Sequence, residues 1–491
     1  MRLLFATVAL AAFSVSAAPG LESRVTELRL SNGMVFLLVE RHDAPVFTGF
    51  VRLRVGGIDE EQGFTGLAHL FEHMAFKGTP RLGTKDWPQE QALLLEIERV
   101  GDALAKLERA GTAASAQGVA LKRELEALST RHKALTDENA LAQLYQVNGG
   151  VGLNATTDKD LTSYFVSLPK NRLELWATVE AQRLAAPVLR DFYTERDVVQ
   201  EERLRSIETN PGGVLFEELN QLAFGSNPYR WSTVGYQKDL AAMTLGKALD
   251  FHRRFYAPAN AVGCLVGDFD TAQLKPLLER TFGAVSARPR PAEPVFTDPP
   301  LRAQRRAHVT FDANPRLAIA VRRPPPPSKD DFVFDVLEVL LSEGRTGRLQ
   351  QRLVFKDRLA QGVGVFSAPG VRAENLFIVS VVPMNGVKNE DVERAVWEEL
   401  EKLKTTPPTA EELEKVRNRL TADFARSIDS NAGLASALSR YQTLFDDWRY
   451  AVRLPDELAA ITPADVQRVA SQYFDQKKSV VVTLGREGGG R

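Results

Sequence analysis

The stretch GLAHLFEHMAFKGTP, from Gly66 to Pro80, places His69 and His73 four residues apart with Glu72 just before the second histidine. Four residues is slightly more than one helical turn, so the two imidazoles lie one above the other on a helix face and can share a metal ion. Neutral imidazole is a good zinc ligand, and a catalytic zinc site keeps one position open for water. A carboxylate beside such a site can take the water's proton. The helix that must carry these groups is well signalled. Thr65 is placed to cap its start, Leu67, Leu70, Phe71 and Met74 supply an apolar face, and Lys77, Gly78 and Pro80 close it, with Gly78 as the C′ residue. With six histidines in the chain, chance produces this five-residue pattern in roughly one chain of such composition in a few hundred, so the pattern points to chemistry.

HxxEH is the inverted form of the HExxH zinc-peptidase pattern. On these residues the chain resembles the insulinase/pitrilysin zinc peptidases, particularly the half-length members related to mitochondrial processing peptidase. The resemblance implies one Zn2+ per chain bound by His69 and His73, with Glu72 as general base toward the water that the metal activates.

Two histidines need a third protein ligand, and a carboxylate from a distant helix is a common source. In TERDVVQEERLRSIETNPGG, the residues Phe192, Glu195, Val199 and Glu202 follow a 3,4,3 spacing that sets Glu202 on an inward stripe, with Glu201 on its flank. Alone, this Glu- and Arg-rich segment reads as a solvated helix face. Beside HxxEH it matches a family run in which the zinc-binding glutamate follows another glutamate by seven residues. The match implies Glu202 as third ligand and Glu195 as a residue that orients a histidine or the ligand.

His73 and Glu202 stand roughly fifty residues further apart than the family pattern leads one to expect. Leu93, Ile97, Val100, Leu104 and Leu107 step by 4,3,4,3; Leu121, Leu125, Leu128, His132 and Leu135 repeat that stepping after a small-residue tip between Ala110 and Gly118. We read residues 93 to about 144 as an inserted antiparallel helical hairpin projecting near the site, with His132 packed in its stripe. It gates access or docks a partner; the sequence does not decide between them. Directly afterwards, NGGVGLNATTDKDLTSYFVSLP resembles the family's active-site edge strand, which implies that Asn154 and Ala155 contact substrate backbone. An open strand edge binds extended peptide through main-chain hydrogen bonds.

The chain also repeats itself. The segment from Asp239, DLAAMTLGKALDFHRRFYAPANAVGCLVG, aligns without gaps with ELAAITPADVQRVASQYFDQKKSVVVTLG from Glu457. Each reads as a turn, an amphipathic helix and a buried strand ending in glycine. The expected fold is α+β: two similar mixed α/β domains forming half of a peptidase chamber. A catalytic domain over 19–284, a proline-rich linker over 285–304 and a domain without a zinc site over 305–491 follow. Paired family members complete the site with an Arg and a Tyr seven residues apart, after a small-residue loop. The matching positions in SEGRTGRLQQRLVFKDRLAQGVG hold Val354 and Gln361, so this chain lacks the pair.

The N-terminus, MRLLFATVALAAFSVSAAPG, reads as a secretory signal cut near residue 18. Export with a single cysteine, Cys264, fits a bacterial periplasmic protein. The net charge of −1 gives no electrostatic footprint for nucleic acid, and no later stretch is apolar enough to span a membrane. Three function classes remain: a zinc endopeptidase acting on unfolded or short peptides, a non-catalytic assembly subunit, and a peptide-binding module that does not cut. The intact constellation favours the first. Because half a chamber without the Arg/Tyr pair is incomplete, a heterodimer with a homologous subunit carrying that pair is expected.

Overall fold

Strand β2 (Val35–Glu40) is apolar at almost every position because both of its faces are covered. Phe36 and Leu38 face a core shared with Leu70, Phe71 and Met74, whereas Val35, Leu37 and Val39 face a separate cluster on the other side. The computed structural model, which describes residues 20–296 and 298–486, builds two mixed sheets in this way. The predicted signal, residues 1–18, lies outside the described residues.

The first sheet adds β1 (Val25–Arg29), β3 (Val46–Leu53), β4 (Val151–Thr157), β5 (Thr162–Pro169) and β6 (Ala261–Gly267), in the order β1-β2-β6-β3-β5-β4. The second comprises β7 (Arg305–Thr310), β8 (Arg316–Arg323), β9 (Ala360–Ala368), β10 (Asn375–Pro383) and β11 (Val480–Gly485), in the order β7-β11-β8-β10-β9. The sequence repeat is the key to this likeness. Its two copies become the helices Leu245–Phe255 and Pro463–Tyr473, followed by β6 and β11. Each of these strands pairs parallel on one side, with β2 or β7, and antiparallel on the other, with β3 or β8.

The halves are interlocked by an exchange that the sequence did not announce. The far face of the first sheet, with Phe50, Cys264 and Val266, is covered by Leu434, Ala435 and Leu438 from the helix Asn431–Phe445 of the second half. Reciprocally, Leu215, Leu219 and Ala223 of the helix Pro211–Ala223 cover Ala318, Ile378 and Val482 of the second sheet. The proline-rich stretch acts as a strap. Its described residues form neither helix nor strand, and Arg288 donates to the carbonyls of Arg253 and Tyr256 while Asp298 accepts from the amides of Gly225 and Ser226.

The segment read as a helical hairpin forms two paired helices, Trp87–Arg109 and Ala116–Ala134, followed by a short third, Ala140–Val147. The first begins six residues before the predicted Leu93, because Asp86 caps it by accepting from the Gln89 amide and a proline occupies its first turn. Its apolar stripe, Leu93, Ile97, Val100 and Leu104, merges with the first core. His132 is buried and hydrogen-bonded to Glu90 at 3.2 Å, as a packed histidine should be.

Leu219 and Leu438 are fully buried in clusters whose sheets belong to the opposite half. Leu219→Ala and Leu438→Ala should each lower stability by about 2–5 kcal/mol. Because either change weakens the contact between halves, urea unfolding followed by circular dichroism should lose its single cooperative transition; an unchanged midpoint would contradict the interlock.

Candidate metal centre

The helix Leu67–Met74 is eight residues long, and five of them, Leu67, Ala68, Leu70, Phe71 and Met74, are buried. The three side chains left partly accessible are His69, Glu72 and His73. Packing thus fixes the helix rotation and leaves its chemistry on one face.

Its N-terminus is held differently from the sequence expectation. Thr65 does not cap it: the Thr65 hydroxyl donates to Asp239 at 2.7 Å and accepts from the Tyr236 amide. The first turn is satisfied by Glu60, whose carboxylate accepts from the amides of Gly66 and Ala68 and from the Trp231 indole, all at 2.9–3.0 Å. A carboxylate is favoured at a helix N-terminus, where unpaired amides converge. Burial raises the Glu60 pKa against the pull of the nearby Lys159 charge. Nothing in the sequence periodicity marks Glu60 or Trp231, because Glu60 lies outside the helix, six residues before its N-cap, and Trp231 arrives from a distant loop.

At the other end the helix stops at Met74 with Ala75 as C-cap, so Gly78 lies three residues beyond the cap. Its φ of +95°, with the Leu82 carbonyl where a Cβ would stand, still demands glycine. The Arg190 guanidinium binds the carbonyls of Lys77, Thr79 and Leu82 and the carboxylate of Glu90, tying this turn to the hairpin.

Glu195 and Glu202 both lie on the helix Phe192–Arg203, rotated by the burial of Phe192 and Val199. Nε2 of His69 and Nε2 of His73 stand 3.7 Å from the two oxygens of Glu202, one each. The predicted triad His69, His73 and Glu202 is the group of potential metal ligands found among the described residues, and Glu201 points to solvent. A 3.7 Å separation is too long for a hydrogen bond. It is close to the spacing of about 3.3 Å between donors that share a tetrahedral zinc at 2.0–2.1 Å.

The protonation chemistry fits the same donor set. Burial, aided by the neighbouring His73, pushes His69 down to about 4, which leaves its imidazole neutral and able to donate a lone pair. His73 also loses by burial, but the hydrogen bond and charge of Glu195, with Glu72 and Glu202 nearby, raise it overall. Nδ1 of His73 meets Glu195 at 2.9 Å, so the carboxylate holds that proton and leaves Nε2 free. Its own second oxygen takes Lys77 at 2.6 Å, and the His73 bond followed by Lys77 brings Glu195 down to about 2. Burial raises the Glu72 carboxyl, opposed by the Thr157 hydroxyl and His73.

A cleft of about 540 Å³ opens from Glu72 and His73, lined also by Phe76, Asn154 and Glu195. Its far wall is the hairpin base, including Lys133, Asp137 and Asn139. β4 is the outermost strand of its sheet and carries Asn154 exposed and Ala155 buried, so the first is on the cleft and the second faces inward. Val354 packs against the second core and Gln361 donates to the Pro383 carbonyl.

Comparison with known proteins agrees with this geometry. The family model described as insulinase (peptidase family M16) matches residues 35–113 and 107–236, and the peptidase M16 inactive domain matches 242–420. The chain is 26% identical to the zinc protease PqqE of Helicobacter pylori, over 88% of this chain and 86% of that one. It is 24% identical to the probable mitochondrial-processing peptidase subunit beta of Schizosaccharomyces pombe, over 96% and 93%. Among solved structures, a protease from Helicobacter pylori superposes with a TM-score of 0.78 at 25% identity, covering 94% of this chain and all but 1% of that one. The first half of the periplasmic protease PqqL from Escherichia coli gives 0.68 at 18% identity, covering 95% and 93%. Two matched M16 models laid end to end over an HxxEH cluster, on two mixed α/β halves, carry one conclusion: the chain belongs to the insulinase family of zinc metalloendopeptidases.

Proposed function

We propose that the protein is an exported zinc endopeptidase that cuts unfolded or short peptides as the catalytic subunit of a heterodimer. The observation that carries the reading is the convergence of two imidazole nitrogens and one carboxylate beside Glu72, at the mouth of a cleft bordered by an edge strand.

In this reading His69, His73 and Glu202 hold one Zn2+, and Glu195 fixes the His73 tautomer. When bound, zinc lowers the pKa of a water toward neutrality and polarises a peptide carbonyl. Glu72 accepts the proton of the attacking water and delivers it to the departing amine, a task suited to a carboxyl whose pKa burial has raised. The edge of β4 at Asn154 and Ala155 aligns the peptide through main-chain hydrogen bonds, so an extended chain binds with little dependence on sequence. Folded substrates, whose backbone groups are already paired, are excluded.

The partner follows from what the second half lacks. Val354 and Gln361 stand where paired family members supply an Arg and a Tyr, so a homodimer would have two metal sites and no such donors. A homologous subunit carrying the pair supplies them and closes the chamber. Support for the paired arrangement comes from a relative whose name describes it as a subunit; support for a periplasmic location comes from the signal-like N-terminus and from PqqL, described as periplasmic. No helix among the described residues is long and apolar enough to cross a membrane.

Glu72→Gln should retain stoichiometric zinc by elemental analysis and lose cleavage of an unstructured fluorogenic peptide by about 10²–10⁴-fold. Full activity in that variant would refute the base. Glu202→Gln should instead lose the metal, with Glu201→Gln as the control that keeps it. Glu195→Ala should weaken zinc binding by about 10–100-fold in competition with a chelating dye, because His73 is no longer oriented. Glu60→Ala leaves buried amides without an acceptor and should cost about 1–3 kcal/mol in chemical denaturation. The zinc-loaded chain alone should turn over slowly, and the partner should raise its rate by about 10²–10³-fold. Rapid turnover by fractions containing this chain alone would show that no second subunit is needed.

A further inference from the structure

A second cavity, of about 300 Å³, lies in the other half of the molecule, between the helix Asp331–Ser342 and the helices Asn431–Phe445 and Tyr450–Ala460. The first of these helices presents Asp331, Asp335 and Glu338 to it, spaced i, i+4 and i+7 on one face. Two of the three carboxylates are engaged. Asp331 pairs with Arg323 and accepts from the Tyr450 hydroxyl at 2.7 Å; Glu338 accepts from the Ser367 hydroxyl and lies 3.8 Å from Arg323.

Asp335 has neither a hydrogen bond nor an ion pair among the described residues, and its half-buried side chain lines the cavity. The cations within reach are already engaged. Arg323 is shared between Asp331 and Glu338 and lies over the Phe334 ring, and Arg440 reaches out of the cavity to Asp158 at 3.5 Å. A carboxylate held away from bulk water without a partner is costly unless it binds a proton or a cation. Burial, with Asp331 and Glu338 beside it, accordingly pushes Asp335 up to about 8.

The remaining wall is aromatic. Tyr441, Phe445 and Tyr450 form a cluster with ring centroids 4.9–6.1 Å apart. Aromatic faces attract a cation and tolerate an aliphatic stem, and one free carboxylate supplies the specific contact. We propose that this cavity binds an alkylammonium or alkylguanidinium group, with its charged head against Asp335 and its stem against Tyr441, Phe445 and Tyr450. The chemistry is shared by a free amine and by the basic side chain of a peptide. The cavity volume is at the small end for ligand sites, about 300–1,000 Å³, and suits one such side chain.

The test uses the zinc-loaded full chain, titrated by calorimetry with agmatine, with the peptide acetyl-Gly-Arg-Gly-amide, and with 1-pentanol as an uncharged control. Saturable binding of agmatine identifies a free amine as sufficient, and binding of the tripeptide alone identifies a side chain; pentanol should give no saturable heat. Asp335→Asn, which keeps size but cannot ionise against a cation, should weaken binding by about tenfold or more, while zinc content and peptidase activity stay unchanged. Should Asp335→Asn not fold, Tyr441→Leu provides the same comparison through the aromatic wall. Absence of saturable binding by both cationic probes overturns the proposal. So does undiminished binding by the folded variant, which would place the cation at another carboxylate.

Discussion

The spacing that everything else serves is the 3.7 Å between each imidazole Nε2 and the carboxylate of Glu202. Three converging donors bearing lone pairs or charge repel one another and lose hydration, so the protein must hold them together by other means. Those means are apolar. The helix carrying the histidines buries five of its eight side chains, and the helix carrying Glu202 is set by Phe192 and Val199 in the same core. A rotation of either helix would move a donor out of reach and expose a buried ring.

Holding that arrangement places polar groups deep inside the protein, and several are paired by groups from other elements. Glu60 receives the amides that open the histidine helix, Arg190 gathers the carbonyls of the turn that follows it, and Glu195 receives both His73 and Lys77. These contacts join segments more than a hundred residues apart in places. They also fasten the hairpin: Glu90 and His132, both from it, take part in the same network as Arg190, so the hairpin forms the far wall of the cleft as an integral part of the first half.

The two halves follow one topology and diverge in chemistry. Each sheet has a strand from the repeat at its interior and is covered on its far face by a helix from the other half. The helix after β8, at the place in the chain order of the histidine helix after β3, buries Phe334, Leu337, Leu340 and Leu341 and presents carboxylates, with no histidine. A common scaffold thus supports a cluster of two histidines and a glutamate in one half and an acidic, aromatic-walled cavity in the other.

The sequence by itself determined the chemistry and its local geometry. HxxEH at helical spacing, the hairpin stepping and the gapless repeat are all short-range periodicities, and helices and strands convert such periods directly into faces, whereas Glu202 is implied by the family resemblance. The structure bears out the two mixed α/β halves and the packed His132, and it brings His69, His73 and Glu202 together. Tertiary structure alone decided how the ends of these elements are satisfied and what covers them. Thr65, which the local pattern nominates as a cap, is taken by Asp239 and Tyr236, and Glu60 caps from a loop; the helix exchange and the unpaired Asp335 are equally silent in the sequence. The reason is physical. A hydrogen bond or a buried charge is matched by whatever group the folded chain brings within about 3 Å, and that neighbour has no fixed offset along the sequence.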